Sequence, residues 1–567
     1  MKTVFSPAFR RIAALLLLII LLVPLVSPFT APAAETEERE IPALASSSPD
    51  DGLITESEVY QYLLSEVLKC KTDIDIADYE LDEKEVGELF STLFYSEAEL
   101  FFITGGYSFT RYQGSSVVRK ISPEYPENVE DVPTLLAEFH ELTDAILSQV
   151  DPALSDWEKV AFIHDYIALH FDYDHRVESR DEEERANVIY DAYGMLKEGI
   201  GVCQAYSLLV RYLLRRLGIE CECVSCKELN HEWNVVKLDG SWYHMDVTWD
   251  DKDDKGFYGQ VSHEFFLASD SFFDAGVGPD RNHHSETGWV SPVRATSGRF
   301  DELYVGVTSP FVFTPGAIYA LNDGTLSTYD PENDRFDTVL DLNLEWHTFG
   351  DPFRVWSGTY AGLWYLNGNL YWNGESEVWS YNPETGTKAR VERYHSLSGT
   401  IFGMRAETEG CTTRFILALM RDPNSGTVTE AVRTIDGYLI TWNVGGETTE
   451  TVCMPGDVPR YDGSLELASN VFDYTFLQWN TTPRAASKPA TYVAMFRMDR
   501  NDVTLDGKTL REQYRYLYAA ELYLPYSSSG YSDADETVGE LNDMVSAYTE
   551  KTDAVNTAFY RVLFGEE

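Results

Sequence analysis

Cys203, His231 and Asp246 are the residues whose types and order would support attack on a carbonyl carbon. A thiolate is a strong nucleophile, an imidazole can take a proton and later return it, and a carboxylate beside the imidazole fixes its tautomer and favours its cation. All three lie within residues 201–249, with Trp233, Trp242 and Trp249. These tryptophans suit the lining of a substrate cleft and suit the packing of a sheet equally well.

The elements that must position these groups are legible from pattern. Cys203 heads the run Gln204 to Leu217, whose apolar residues Ala205, Leu208, Leu209, Tyr212, Leu213 and Leu217 recur at helical spacing. Gly218 supplies a stop, and Arg211, Arg215 and Arg216 place positive charge where the helix dipole is negative. A thiol in the first turn of such a helix has its ionised form favoured. Further on, His231 to Leu238 and Ser241 to Trp249 flank Asp239-Gly240, a strong hairpin signal. A two-residue turn there sets Leu238 against Ser241 and Asp246 against Trp233. His231, Trp233, His244 and Asp246 then share one face, with His231 and Asp246 diagonal neighbours.

The motifs GVCQAY, HEWNVV and DVTWDD together resemble the transglutaminase-like superfamily, particularly its secreted bacterial members. The resemblance covers residues 131 to 290, extends more loosely from about 55, and includes EKVAFIHDYIALHFDYD, AYGMLKEGIG, HEFFLASD and RNHH. It implies an α+β fold, a papain/transglutaminase-like core in which the nucleophile helix packs on an antiparallel sheet. It also implies that Cys203 is the nucleophile, His231 the base and Asp246 its orienting partner, with Gln204, Trp233, His244 and Trp249 as site neighbours. The meeting of Cys203 with His231 rests on this resemblance, since the hairpin alone does not bring it about. Papain-type enzymes, whose histidine lies far downstream of the cysteine, are disfavoured by the compact spacing. Amide cleavage also needs donors for the oxyanion. The backbone N–H of Cys203 suits the first; for the second, Tyr173, Tyr190 and Tyr193 compete.

Lys2, Arg10 and Arg11, an apolar run from Ile12 to Val23 and the small-residue segment Ala31 to Ala34 read as a signal peptide, residues 1–33. The expected location is therefore secreted or extracellular, with no membrane span after signal removal. The seven cysteines are too few and scattered for a disulfide framework. In the run Cys221-Glu222-Cys223-Val224-Ser225-Cys226 the spacing fits no zinc pattern, so these read as buried apolar residues with room for one disulfide. Asp250, Asp251, Asp253 and Asp254 crowd a loop without the glycine and glutamate of a calcium hand, and no metal or cofactor is expected. Acidic residues outnumber basic ones 93 to 44, a net charge of −49 that disfavours nucleic acid and anionic membranes as partners.

Residues 34–54 are polar and aperiodic and read as a flexible lead. Residues 55–130 show two helical patterns and two strand-like runs. Helices are expected over about 132–150 and 156–171, the second capped by Ser155 or Asp156, with His164 and His170 on it as packing or surface residues. The charged run 177–187 reads as an exposed loop or helix end. SPVRATSGR reads as a linker to an all-β domain over 300–526, propeller-like with a β-sandwich as the alternative, and 527–567 reads as helical. Within the all-β stretch, IYALNDGTLSTYDPENDRFDTVL and NLYWNGESEVWSYNPETGTKARV repeat a hairpin, a strand ending in tyrosine and an Asx-Pro-Glu turn, with Tyr329 and Tyr381 52 residues apart.

Two functions fit. One is a secreted thiol enzyme acting on amide bonds of proteins or peptides, hydrolysis slightly favoured over transglutamination. The other is a catalytically silent scaffold that binds at the cell surface, its C-terminal domain taking a glycan or cell-surface ligand.

Overall fold

The computed structural model describes residues 34–40, 53–103, 106–126, 128–252, 256–275, 288–356, 358–395, 397–467, 472–500, 504–505 and 508–509. The expected signal peptide, Asp253 and Asp254, the RNHH stretch and the expected C-terminal helical segment lie outside these residues. The chain divides into two compact units, the first made of residues before 46, 54–94 and 102–132 and the second chiefly of residues from 133 onward.

The first unit contains strand β1 (Ala34–Glu40), helix α1 (Glu58–Val67), strand β2 (Ile74–Asp75), helix α2 (Glu83–Ser96) and strands β3 (Gly106–Tyr112) and β4 (Val118–Pro123). The sheet order is β1-β3-β4-β2. Tyr60, Leu63, Val86, Phe90, Phe109 and Ile121 are buried, and Phe90 stacks on Tyr107 at 4.5 Å. Strand β1 corrects the flexible lead expected at 34–40. An edge strand needs no apolar face when its charges find partners, and here Glu37 pairs with Arg39 and Arg111 while Arg39 reaches Glu83.

The second unit begins with helices α3 (Val132–Leu147) and α4 (Asp156–His170). A capping box starts α4: Ser155 Oγ accepts from Glu158 N at 3.3 Å and Glu158 returns a bond to Ser155 N at 2.7 Å. Strand β5 (Asp172–Tyr173), helices α5 (Glu182–Arg185) and α6 (Ala192–Glu198) and strand β6 (Ile200–Gly201) lead into α7 (Cys203–Arg216). Then come β7 (Cys221–Cys226), β8 (His231–Leu238), β9 (Ser241–Met245), α8 (Val247–Asp250), β10 (Phe266–Ala268) and α9 (Asp270–Ala275). The sheet is antiparallel, ordered β10-β9-β8-β7. Leu208, Leu209 and Leu213 of α7 share one core with Cys221, Val236, Leu238, Tyr243 and Met245 of the sheet. The arginines of α7 do more than face the helix dipole: Arg211 and Arg215 grip Glu222 on β7 at 3.1 and 2.8 Å.

This core runs on through Phe300, Tyr304, Val307 and Phe311 to Ile318 and Tyr329. The expected linker 291–299 is thus packed rather than free: Ala295 is buried and its N–H donates to Asp270 Oδ1 at 3.1 Å. Its Ser, Pro and Gly content concealed the one small residue that docks.

Beyond it lie β11 (Val312–Phe313), β12 (Ile318–Asn322), β13 (Thr325–Asp330), β14 (Arg335–Asp341), β15 (Trp346–Thr348) and β16 (Asp351–Trp356). They are followed by β17 (Leu363–Leu366), β18 (Asn369–Asn373), β19 (Glu377–Asn382), β20 (Thr387–Arg393), β21 (Thr400–Glu409), β22 (Thr412–Met420) and β23 (Thr429–Asp436). Last come β24 (Tyr438–Val444), β25 (Glu447–Cys453), β26 (Phe472–Trp479) and β27 (Ala490–Arg500). The region is all-β. Sheets β11–β14 and β17–β20 are four-stranded meanders, and the two sequence repeats fall on them in the same register, Ile318 opposite Tyr329 and Leu370 opposite Tyr381. The sheet β25-β24-β27-β26 differs, because β24 and β27 run parallel.

Candidate active site

Cys203 is the first residue of α7 and is 8% exposed. No side chain caps this helix, so its first-turn amides, that of Cys203 among them, are not spent on a cap. The β8–β9 hairpin turns on Asp239 (φ 50°) and Gly240 (φ 79°), with Leu238 paired to Ser241 as the two-residue turn requires. That register sets His231 at the start of β8 and Asp246 just past the end of β9.

His231 Nε2 meets Asp246 Oδ2 at 2.6 Å, and the imidazole also hydrogen-bonds the Cys203 side chain. With Nε2 committed to Asp246, the bond to sulfur falls to Nδ1. Burial opposes charge on the ring, but the Asp246 carboxylate and Cys203 outweigh it and raise its pKa to about 10. The imidazolium is therefore the favoured form at neutral pH. Asp246 is itself held from behind, since its Oδ1 accepts from Trp249 N at 3.2 Å as the N-cap of α8.

The expected neighbours take distinct places. Trp233 stacks on His231 at 5.6 Å, and Trp249 lies 5.4 Å from it. His244, without an assigned partner on sequence grounds, is fully buried, accepts from Trp233 Nε1 at 3.0 Å and meets Asp270 at 3.0 Å. It braces Trp233 from beneath. Gln204 follows Cys203 in α7, and its carbonyl accepts from Ser207 Oγ at 3.2 Å.

The three competing tyrosines separate. Tyr193 donates to Glu138 at 2.6 Å and stacks on Phe101, and Tyr190 is 48% exposed. Tyr173 sits on β5, which pairs in parallel with β6 so that Tyr173 is opposite Gly201, two residues before Cys203. Its hydroxyl has no hydrogen-bond partner among the described residues. Burial and the neighbouring Cys203 push its pKa upward.

Sequence reasoning missed two buried groups. Glu232, 6% exposed, points to the helix side of β8, where it bonds Ser207 Oγ and the Cys223 thiol; burial pushes its carboxyl to about 8. His164, expected to be a packing or surface residue, bonds Asp165 at 2.8 Å and Asp250 at 3.2 Å, and His263 joins the same Asp165 oxygen at 2.9 Å. His164, Asp165 and His263 offer metal-ligand atoms within 4.8 Å of one another, although the Asp165 oxygen already bonds both rings. Asp250, expected in a loop, ends α8 and accepts from Phe265 N, and Asp251 accepts from Tyr206. All seven cysteines are free, which corrects the allowance for a disulfide, and Cys221, Cys223 and Cys226 are buried in β7.

A cysteine heads a helix that packs on an antiparallel sheet, hydrogen-bonded to a histidine that a buried carboxylate holds, within an α+β domain. Residues 141–247 match the family model of the transglutaminase-like superfamily, so the chain carries a transglutaminase-like domain. Kyphoscoliosis peptidase from Mus musculus is 28% identical over 130 residues, which span 20% of this chain and 19% of that relative. Among solved structures, one titled as the crystal structure of a TGase is 16% identical over 25% of this chain and 43% of its own, with a TM-score of 0.17. The N-terminal domain of Nup159 is 9% identical over 48% of this chain and 64% of its own, with a TM-score of 0.16. At these scores neither structural likeness bears on the fold.

Proposed function

We propose that this chain is an exported thiol enzyme acting on amide bonds of proteins or peptides through an acyl-enzyme. The observation that carries the reading is the His231–Asp246 contact at 2.6 Å, with the same imidazole bonded to Cys203 at the head of α7. Cys203 sulfur attacks the carbonyl carbon, and the oxyanion is met by the Cys203 amide and the Tyr173 hydroxyl. His231 then protonates the departing amine as the C–N bond breaks, leaving a thioester. A second nucleophile attacks the thioester, gives its proton to His231, and the sulfur leaves with the pair restored. The proposal favours water as that nucleophile, the acceptor in excess outside the cell, giving a peptidase or amidase; a lysine amine would give a crosslink.

The test is the iodoacetamide alkylation rate of Cys203 against pH, with His231→Ala beside it, followed by casein and peptide libraries scored for cleavage and for amine incorporation. Fast alkylation that the mutation abolishes, with cleavage of a peptide, is the expected result. Slow alkylation indifferent to the mutation would move the chain to the other reading, a silent scaffold with a binding role.

A further inference from the structure

Turns from three sheets of the all-β region close around a cavity of about 720 Å³. The β11–β12 turn at 314–317 and the β17–β18 turn at Asn367–Gly368 occupy equivalent places in the two four-stranded meanders. Asn382–Glu384 of the β19–β20 turn adds a wall, and Thr451–Cys453 with Asp457–Asp462 supplies another. None of these residues belongs to the Cys203 site.

The walls hold polar groups that packing leaves unspent. Tyr319 is only 7% exposed, yet its hydroxyl makes no hydrogen bond to any described residue; Tyr365 is half-buried, and its hydroxyl also bonds no described residue. Burial pushes both phenols upward in pKa, with Tyr381 and Tyr365 adding to the effect at Tyr319 and Asp462 and Glu384 at Tyr365. A hydroxyl without a protein partner, on a tyrosine that lines a cavity large enough for a small molecule, is a group that a ligand can satisfy.

The charges narrow the ligand. Glu384 is taken by Arg460, and Asp457 accepts from the Asn369 amide while burial pushes its carboxyl upward. Little demand for a cation is left. Three carboxylates against one guanidinium still repel phosphate, sulfate and carboxylate ligands. Interleaved carboxylates, carboxamides and tyrosine hydroxyls suit a molecule whose every edge both donates and accepts, and tyrosine rings offer flat apolar surface to its C–H face. We infer that this cavity binds a short uncharged oligosaccharide, through the Tyr319 and Tyr365 hydroxyls and the Asp457 and Asp462 carboxylates.

The inference is independent of the thiol chemistry and is tested without it. The full chain is titrated calorimetrically with maltotriose, cellotriose and tri-N-acetylchitotriose, and with the peptide Lys-Gly-Lys and tri-galacturonate as cationic and anionic controls. At least one neutral trisaccharide should bind with a Kd of about a millimolar or tighter. Tyr319→Phe, which keeps the ring and its packing, and Asp462→Asn should each weaken it about tenfold without shifting the melting temperature. Silence from every neutral sugar up to about 10 mM would overturn the inference. So would binding that both variants leave unchanged, or preferential binding of the lysine peptide or the acidic sugar.

Discussion

His231 and Asp246 stand 15 residues apart and meet at 2.6 Å across the open end of the β8–β9 hairpin, while the other oxygen of the same carboxylate caps α8. One side chain thus ties the imidazole to a backbone terminus, so the ring's position depends on hairpin register and helix start together. Asp246→Asn separates the two roles, because an amide oxygen still caps a helix but brings no charge. The expected outcome is a native circular dichroism spectrum, a His231 titration that falls from about 10 toward its ordinary value, and amide turnover lower by about 10²–10⁴. Histidine NMR on the full chain checks the middle term: a titration left near 10 would mean that Asp246 is not its source.

Tyr173 is opposite Gly201 in the β5–β6 pair, the Cys203 thiol is among the groups that raise its pKa, and its hydroxyl has no hydrogen-bond partner among the described residues. As an oxyanion donor it would act only on a tetrahedral intermediate. Tyr173→Phe should lower amide turnover by about 10²–10³ and leave iodoacetamide alkylation of Cys203 unchanged, since that displacement forms no oxyanion. Equal losses in both assays would make Tyr173 a packing residue.

What the sequence revealed here was local. Helix period located α7, and the Asp239-Gly240 turn set the register that brings Asp246 toward His231. The approach of Cys203 to His231 needed the family resemblance, because a helix docking on a sheet is a long-range event that no periodicity reports. Glu232 and His164 escaped notice for another reason: a charged residue in a sequence reads as surface, and only the fold shows that Ser207 and Cys223, or Asp165 and Asp250, enclose it. The converse holds at β1, where seven mostly charged residues form a strand because Arg111 and Glu83 wait across from them. Among the sheets, β11–β14 and β17–β20 were visible through their repeated turn chemistry; β24 and β27 pair in parallel across an intervening stretch that carries no such signal.

Glu232 keeps its proton to about 8 in the folded chain and loses it near 4.5 when exposed. The folded state then binds more protons than the unfolded state between those values, so stability falls as pH rises across that window, by at most about 1.4 kcal/mol per unit. Glu232→Gln keeps the bond to Ser207 and removes the titration. The variant should melt at the same temperature as the parent in mild acid and several degrees above it near about pH 9. Parallel curves for the two proteins would show that Glu232 is not a buried neutral acid.

The His164–Asp165–His263–Asp250 cluster gives a fall with pH in the same direction from a different cause, a charge held by partners rather than a charge refused by burial. His164 is fully buried, and although burial opposes its charge, Asp165 and Asp250 raise it to about 9. Its pKa is raised on folding, so the stability it adds is complete below about 6.5 and is lost as pH climbs through about 9. Asp165 also accepts the Phe311 backbone N–H at 2.6 Å, which joins the α4 helix to the start of the all-β region. Asp165→Ala would strand two histidines and one amide in the core, a loss of about 3–5 kcal/mol for a broken buried pair. Asp165→Asn, which can still accept from Phe311, should cost less and should flatten the alkaline fall in stability. Denaturant melts of the three proteins at neutral and alkaline pH check this. Equal destabilisation by both substitutions at every pH would show that the hydrogen bond to Phe311, which the asparagine keeps, adds nothing to the charge that both variants lose.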